Sequence, residues 1–174
     1  DNGKFVAVAN SDNTFAYSTD GITWTEGTIS DTSRSWYSVC YGNGKFVAVA
    51  WDSYFAYAEL SQYYNQFSGW DQSGNITVTR NVSITGSWSD KKYVDNTWTE
   101  STISSTNRSW YSVCYGNGKF VAVAYGTNYF AYSTDGINWT EGTISSTSRS
   151  WESVCYGNGK FVAVSTNNYY AYST

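Results

Sequence analysis

A phrase recurring at 41-residue spacing, strand-like alternation inside each copy and the lack of any helical apolar period predict an all-β array of four-stranded antiparallel units. The phrase G-N-G-K-F-V-A-V ends three long copies, and D-N-G-K-F-V-A-V opens the chain. Its lysines are Lys4, Lys45, Lys119 and Lys160, giving steps of 41, 74 and 41 residues. A second phrase, F-A-Y-S-T-D-G-I-x-W-T-E-G-T-I-S, starts at Phe15 and at Phe130. In three copies the tryptophan of W-T-E precedes that of R-S-W by 12 residues: Trp24 and Trp36, Trp98 and Trp110, Trp139 and Trp151. The register is strict.

Each unit reads as four strands. The first, W-Y-S-V-C-Y, alternates toward G-N-G, a strong short hairpin signal, and K-F-V-A-V-A returns from it as the second. The third, F-A-Y-S-T, runs into a D-G turn, and W-T-E-G-T-I closes the unit as the fourth. The β-branched and aromatic content suits strands. Four antiparallel strands in about 41 residues match the size of a propeller blade, so the predicted fold is a β-propeller-type array.

The strings S-T-D-G-I-T-W at Ser18–Trp24 and S-T-D-G-I-N-W at Ser133–Trp139 resemble the Asp-box (BNR-type) turn of sialidase-like and photosystem-assembly-factor-like propellers. They are one residue shorter between Asp and Gly than the usual motif. G-N-G-K-F-V-A-V followed by S-T-D-G-x-x-W resembles repeats of bacterial and phage surface proteins. The 74-residue step adds 33 residues inside the second unit. There, F-S-G-W-D-Q-S-G-N-I-T-V-T-R-N-V-S-I-T-G-S-W resembles the C-terminal half of a Listeria–Bacteroides (InlB B-type) repeat, a β-grasp module of surface adhesins. Alternating Ile76, Val78, Val82 and Ile84 predict two strands around Arg80–Asn81. The domains are then 1–58, blades; 59–95, the inserted hairpin or partial β-grasp module; and 96–174, blades. The first blade lacks its innermost strand and the last its outermost. The array is therefore expected to be an excerpt of a longer propeller or to be completed by oligomerisation.

Composition narrows the function classes. Aromatic residues make up 20% of the chain and charged residues 14%, a balance that buries surface rather than staying disordered. A net charge of −4 argues against nucleic acid or an anionic membrane as partner. No run of 18 apolar residues is present, so no membrane insertion is expected. The chain opens in repeat sequence without an initiator Met, which reads as a processed or excised piece. Cys40, Cys114 and Cys155 share one repeat position, S-V-C-Y, and read as buried free thiols rather than disulfide partners.

Arg34, Arg108 and Arg149 each stand two residues before a tryptophan, Trp36, Trp110 and Trp151, on the loops that enter the units. Recurring on one face, such pairs offer guanidinium forks for carboxylates and indole faces for sugar rings. Repetition favours the structural role, in which the indoles pack between units and each Arg pairs with a neighbouring carboxylate or carbonyl. Asp20 with Gly21 and Asp135 with Gly136 read as structural turns, the carboxylate capping its own loop and the glycine taking positive φ. Asn75, Asn81, Asn107 and Asn138 head N-x-S/T sequons.

Catalysis finds little support. The chain has no His, hence no Ser-His or Cys-His pair and no common transition-metal site. Glu26, Glu100 and Glu141 recur by repeat, and no F-R-I-P motif of sialidases is present. The reading is a noncatalytic extracellular or cell-surface binding or adhesion module, without cofactor or metal, with a glycan or a surface protein as partner. The alternative is a structural scaffold or filament subunit that self-associates through open blade edges.

Overall fold

Two turns, repeated from copy to copy, set the order of the strands. At the G-N-G-K hairpins Asn43, Asn117 and Asn158 have φ of 46–48°, and Gly44, Gly118 and Gly159 follow at 73–79°. Two successive positive-φ residues are what a two-residue hairpin needs to match strand twist, and Asn-Gly supplies them at least cost. The D-G turn follows the third strand in the first and third copies, with Gly21 and Gly136 both at φ 75°.

The computed structural model describes residues 3–10, 12–59 and 97–173, together with the strand backbones of residues 64–70 and 86–91. The strands are β1 (Phe5–Val8), β2 (Thr14–Ser18), β3 (Thr25–Thr28), β4 (Trp36–Gly42), β5 (Lys45–Ala50), β6 (Tyr54–Glu59), β7 (Tyr64–Trp70) and β8 (Gly86–Lys91). They continue with β9 (Thr99–Thr102), β10 (Ser109–Gly116), β11 (Lys119–Tyr125), β12 (Tyr129–Ser133), β13 (Thr140–Thr143), β14 (Trp151–Gly157), β15 (Lys160–Ser165) and β16 (Tyr170–Tyr172). Fourteen of them form four antiparallel sheets, with no helix among the described residues. The sheets run β1-β2-β3, β4-β5-β6-β9, β10-β11-β12-β13 and β14-β15-β16, here the first to fourth sheets. The inserted segment, residues 61–95, is a separate compact unit in which β7 pairs with β8. The expected strands around Arg80–Asn81 lie outside the described residues. β6 runs on to Glu59, whose carboxylate meets Lys45 at 2.9 Å across the ladder. The insert thus begins two residues later than the sequence suggests.

The four sheets pack on one another through the second strand of each repeat. In β5, Phe46, Ala48 and Ala50 join a buried cluster with Phe15 and Ile29 of the first sheet's repeat. Val47 and Val49 point the other way and join Trp110, Val113 and Phe120 of the third sheet. β11 repeats the device, with Phe120, Ala122 and Ala124 toward the second sheet and Val121 and Val123 toward the fourth. Opposite faces of one strand therefore serve opposite neighbours, which is why the F-V-A-V-A that follows the lysine is apolar throughout. Each fully buried Val or Phe side chain contributes about 1.5–3 kcal/mol, so inter-sheet packing outweighs what the hairpins contribute alone.

The first strands lie side by side. Ser38 Oγ accepts a 3.2 Å hydrogen bond from the Val113 N–H, and Ser112 Oγ accepts one of 3.2 Å from Val154. Beside them, the Tyr115 ring covers Gly42 so closely that a Cβ there would stand 2.0 Å from it, and Tyr156 covers Gly116 in the same way at 2.1 Å. The cysteines form a row on these strands. Cys40 and Cys114 are half-buried and Cys155 is exposed, which corrects the expectation of three buried thiols. Cys155 stands on β14, and no described strand packs over it as β14 does beside β10. Burial, and then the neighbouring Cys155, pushes the Cys114 thiol up to about 12, so it stays protonated and unreactive at neutral pH.

Gly116 and Gly157 occupy the same repeat position, but only Gly116 is covered; nothing lies within 4 Å of a Cβ at Gly157. Gly116→Ala is expected to lower stability by about 1–3 kcal/mol through overpacking, and Gly157→Ala to change it by less than about 0.5 kcal/mol. Urea unfolding midpoints of the two variants check this, and equal midpoints would refute the tyrosine-on-glycine contact.

Candidate functional site

The three Arg–Trp pairs are built into the core. Trp36, Trp110 and Trp151 are only 0–1% exposed, so none offers an indole face to a sugar. That corrects the ligand-stacking role considered for them, and the cause is a β-bulge. In β4 the pairing passes from Trp36↔Ala50 to Ser38↔Val49 and leaves Tyr37 as the extra residue. The bulge rotates Trp36 onto the face of Val39 and Tyr41, against the first sheet. β10 and β14 carry the same shift at Tyr111 and Glu152.

The arginines are committed as well. The Arg34 guanidinium lies 3.4 Å from the centre of the Tyr54 ring while its Nε donates to Glu100 at 2.9 Å. Arg108 repeats this on Tyr129 at 3.5 Å and on Glu141 at 2.5 Å. Arg149 stacks on Tyr169 at 3.4 Å and has no ion-pair partner among the described residues. A guanidinium already stacked and paired has little left for a ligand carboxylate.

The Asp turns close on themselves. Asp20 Oδ1 accepts from the N–H groups of Ile22 at 2.8 Å and Thr23 at 2.7 Å and from Ser18 Oγ at 2.9 Å, while Ser18 Oγ accepts from Gly21 N–H at 2.8 Å. Asp135, Ser133 and Gly136 repeat the arrangement, with Asn138 Nδ2 donating to Asp135 Oδ2 at 2.8 Å. The Thr23 and Ile22 N–H groups and the Ser18 hydroxyl hold Asp20 well below the usual carboxylate range. For Asp135, partial burial pushes upward, but the Asn138, Ile137 and Ser133 donors outweigh it and the net shift is also downward.

What the bulges bring together is different. The side chains they displace are Tyr37 and Tyr111, both half-buried, and these meet Trp51, just after β5, and Tyr125, the last residue of β11. Tyr37 stacks on Tyr111 with centroids 4.4 Å apart, and Tyr111 stacks on Tyr125 at 5.1 Å. Trp51 touches all three rings, at 5.8 Å from Tyr37, 6.0 Å from Tyr111 and 6.1 Å from Tyr125. Trp51 is 40% and Tyr125 36% exposed while Tyr37 and Tyr111 are half-buried, so the four rings form a partly open aromatic platform across the second and third sheets. The third bulge places Glu152 beside it. Desolvation, the Tyr37 hydroxyl and the Glu152 charge together raise the Tyr111 phenol, which therefore remains a neutral hydrogen-bond donor.

This platform escaped the sequence reading, although a signal was present. At the position after the R-S-W tryptophan the copies carry Tyr37, Tyr111 and Glu152, and after the second strand they carry Asn10, Trp51, Tyr125 and Thr166. In a chain this repetitive, positions that vary in chemistry while their neighbours do not are the ones to examine. Among the described residues no group of three or more His, Cys, Asp or Glu side chains is placed to hold a metal ion.

No protein-family model matches the chain. No curated protein matches it. Among solved structures, the chain is similar to the crystal structure of the computationally designed Ika8 protein, with a TM-score of 0.35 and 8% identity over 92% of this chain. The chain spans 55% of the length of that structure.

The Asp turns make stability acid-sensitive. A carboxylate with a depressed folded pKa contributes stability that is fully present above its unfolded value, about 3.9, and is lost as pH falls through the folded value. The melting temperature is expected to hold from pH 7 to about pH 5 and to drop progressively below about pH 4. Asp20→Asn combined with Asp135→Asn should lower the neutral plateau and flatten the acid limb. An unchanged acid limb in thermal melts of the double variant would show that these turns do not set it.

Proposed function

We propose that the chain is a noncatalytic extracellular or cell-surface binding module of propeller type, whose platform of Tyr37, Trp51, Tyr111 and Tyr125, flanked by Glu152, takes neutral carbohydrate. The observation that carries this reading is the loss of repetition at the platform. Bulge positions on three adjacent sheets hold two stacked tyrosines and a carboxylate, while the tryptophans beside them are invariant and buried. Bulges commonly re-aim side chains at sites, and rigid Tyr and Trp rings give contact area at low entropic cost.

The chemistry of the platform points to a ligand class. Ring faces suit the apolar C–H face of a pyranose, phenol hydroxyls can donate, and the Glu152 carboxylate accepts from sugar hydroxyls. No unpaired cation faces the rings among their contacts, and Arg34 and Arg108 are spent on Glu100 and Glu141. Anionic sugars therefore meet a carboxylate rather than a guanidinium, and neutral glycans are the better fit. The absence of His and the consumption of Asp20, Asp135, Glu100 and Glu141 in turns and ion pairs support a role without catalysis. The surface location and the kinship with Asp-box propeller repeats rest on the motif resemblances, including that of the insert to surface adhesins.

A glycan array on the purified chain, followed by titration of the best ligand through tryptophan fluorescence, tests the reading. Neutral glycans should bind above sialylated ones. Trp51→Ala should weaken binding by roughly thirtyfold, the loss of about 2 kcal/mol typical of an aromatic anchor, while Tyr172→Ser should leave it unchanged. Binding that ignores Trp51→Ala, or that prefers sialylated glycans, would overturn the assignment.

A further inference from the structure

We propose that the platform prefers a protonated amino sugar to a neutral one: the pyranose lies on Trp51, and its ammonium meets the Tyr125 face and the Glu152 carboxylate. The proposal rests on the carbohydrate reading of the same rings and adds a charge that the ligand carries.

The repeat itself places Glu152. The first strands of the second, third and fourth sheets are joined in one way: the Val113 N–H donates to Ser38 Oγ and the Val154 N–H to Ser112 Oγ, each at 3.2 Å. The bulged residue comes just before the corresponding serine in each strand, as Tyr37, Tyr111 and Glu152. Glu152 therefore stands beside Tyr111 as Tyr111 stands beside Tyr37, whose rings are 4.4 Å apart. The same step carries a second contact forward. Trp51 reaches Tyr111 of the next sheet at 6.0 Å, and Tyr125 is the repeat counterpart of Trp51. The residue of the next sheet that faces Tyr125 in that way is Glu152. Desolvation, then Tyr37 and then the Glu152 charge push the Tyr111 phenol upward, in keeping with a carboxylate close to the rings.

The accessible part of the platform is Trp51 and Tyr125, with centroids 6.1 Å apart and planes inclined by 36°. Tyr37 and Tyr111 are half-buried and back them. A pyranose laid on Trp51 thus carries a substituent over Tyr125. There the electrostatics favour a cation, because the ring face is the negative end of an aromatic quadrupole and a carboxylate lies alongside. Glu152 enters none of the ion pairs among the described residues, and Arg34 and Arg108 are held by Glu100 and Glu141. A hydroxyl or an N-acetyl group offers this corner only a dipole. An ammonium satisfies the ring face and the carboxylate together, with a charge-assisted hydrogen bond to the second.

The test titrates the chain, through tryptophan fluorescence, with β-linked tetramers of glucosamine and of N-acetylglucosamine. At about pH 6, below an ordinary amine and above an ordinary glutamate, ammonium and carboxylate are both charged. The glucosamine tetramer should bind roughly tenfold more tightly, the scale of one cation–π contact with one charge-assisted hydrogen bond. Glu152→Gln should abolish the ratio between the two sugars, and Glu152→Asp should keep most of it. Equal affinities, or a ratio that survives Glu152→Gln, would overturn the amine preference and leave the carbohydrate reading standing. Tetramethylammonium binding as tightly as the glucosamine tetramer would also overturn it, since the pyranose then contributes nothing. Binding of neither tetramer would remove both readings. The ratio is taken within one chain, so a partly misfolded variant does not blunt the test.

Discussion

Burial of the K-F-V-A-V-A strand on both of its faces is the constraint on which the other features depend. A strand covered on one side alternates apolar and polar residues, whereas β5 and β11 are apolar on each side because each serves two neighbouring sheets. In both strands a Phe and two alanines face one neighbour and two valines the other, in the same order. The sheets cannot slip by one residue without exchanging Phe46 for Val47 across two interfaces. That coupling fixes how the sheets follow one another, brings the first strands side by side, and so permits the Ser38–Val113 bond and the tyrosine-on-glycine contacts.

Much of this was legible in the sequence because the signals are local. Asn-Gly and Asp-Gly dictate turns through backbone sterics that need no tertiary partner, and the repeat spacing sets the strand order. That Trp36, Trp110 and Trp151 are buried agrees with the structural reading, but the face they take was not legible. By simple alternation Trp36 shares a face with Cys40, and the bulge at Tyr37 transfers it to the face of Val39 and Tyr41. A bulge leaves no mark in a period-two pattern, since it only adds one residue to an apolar run. That Arg34 pairs with a carboxylate was expected, but which one was not legible, for a related reason. Its partners Tyr54 and Glu100 lie on the third and outer strands, separated from it by the insert in the case of Glu100, and only the sheet brings them together.

The same bulge that hides the tryptophan displaces the tyrosine beside it. Core and platform are therefore not independent, because Tyr37 and Tyr111 stack where they do only as long as Trp36 and Trp110 hold the bulged strand down. This arrangement separates the two tasks of the repeat. Positions facing the neighbouring sheets keep nearly one size and shape, as at Phe46, Phe120 and Phe161 and at Trp36, Trp110 and Trp151. Bulge positions fall outside the regular ladder pairing, and they carry Tyr in two copies, half-buried in ring stacks, and an exposed Glu in the third.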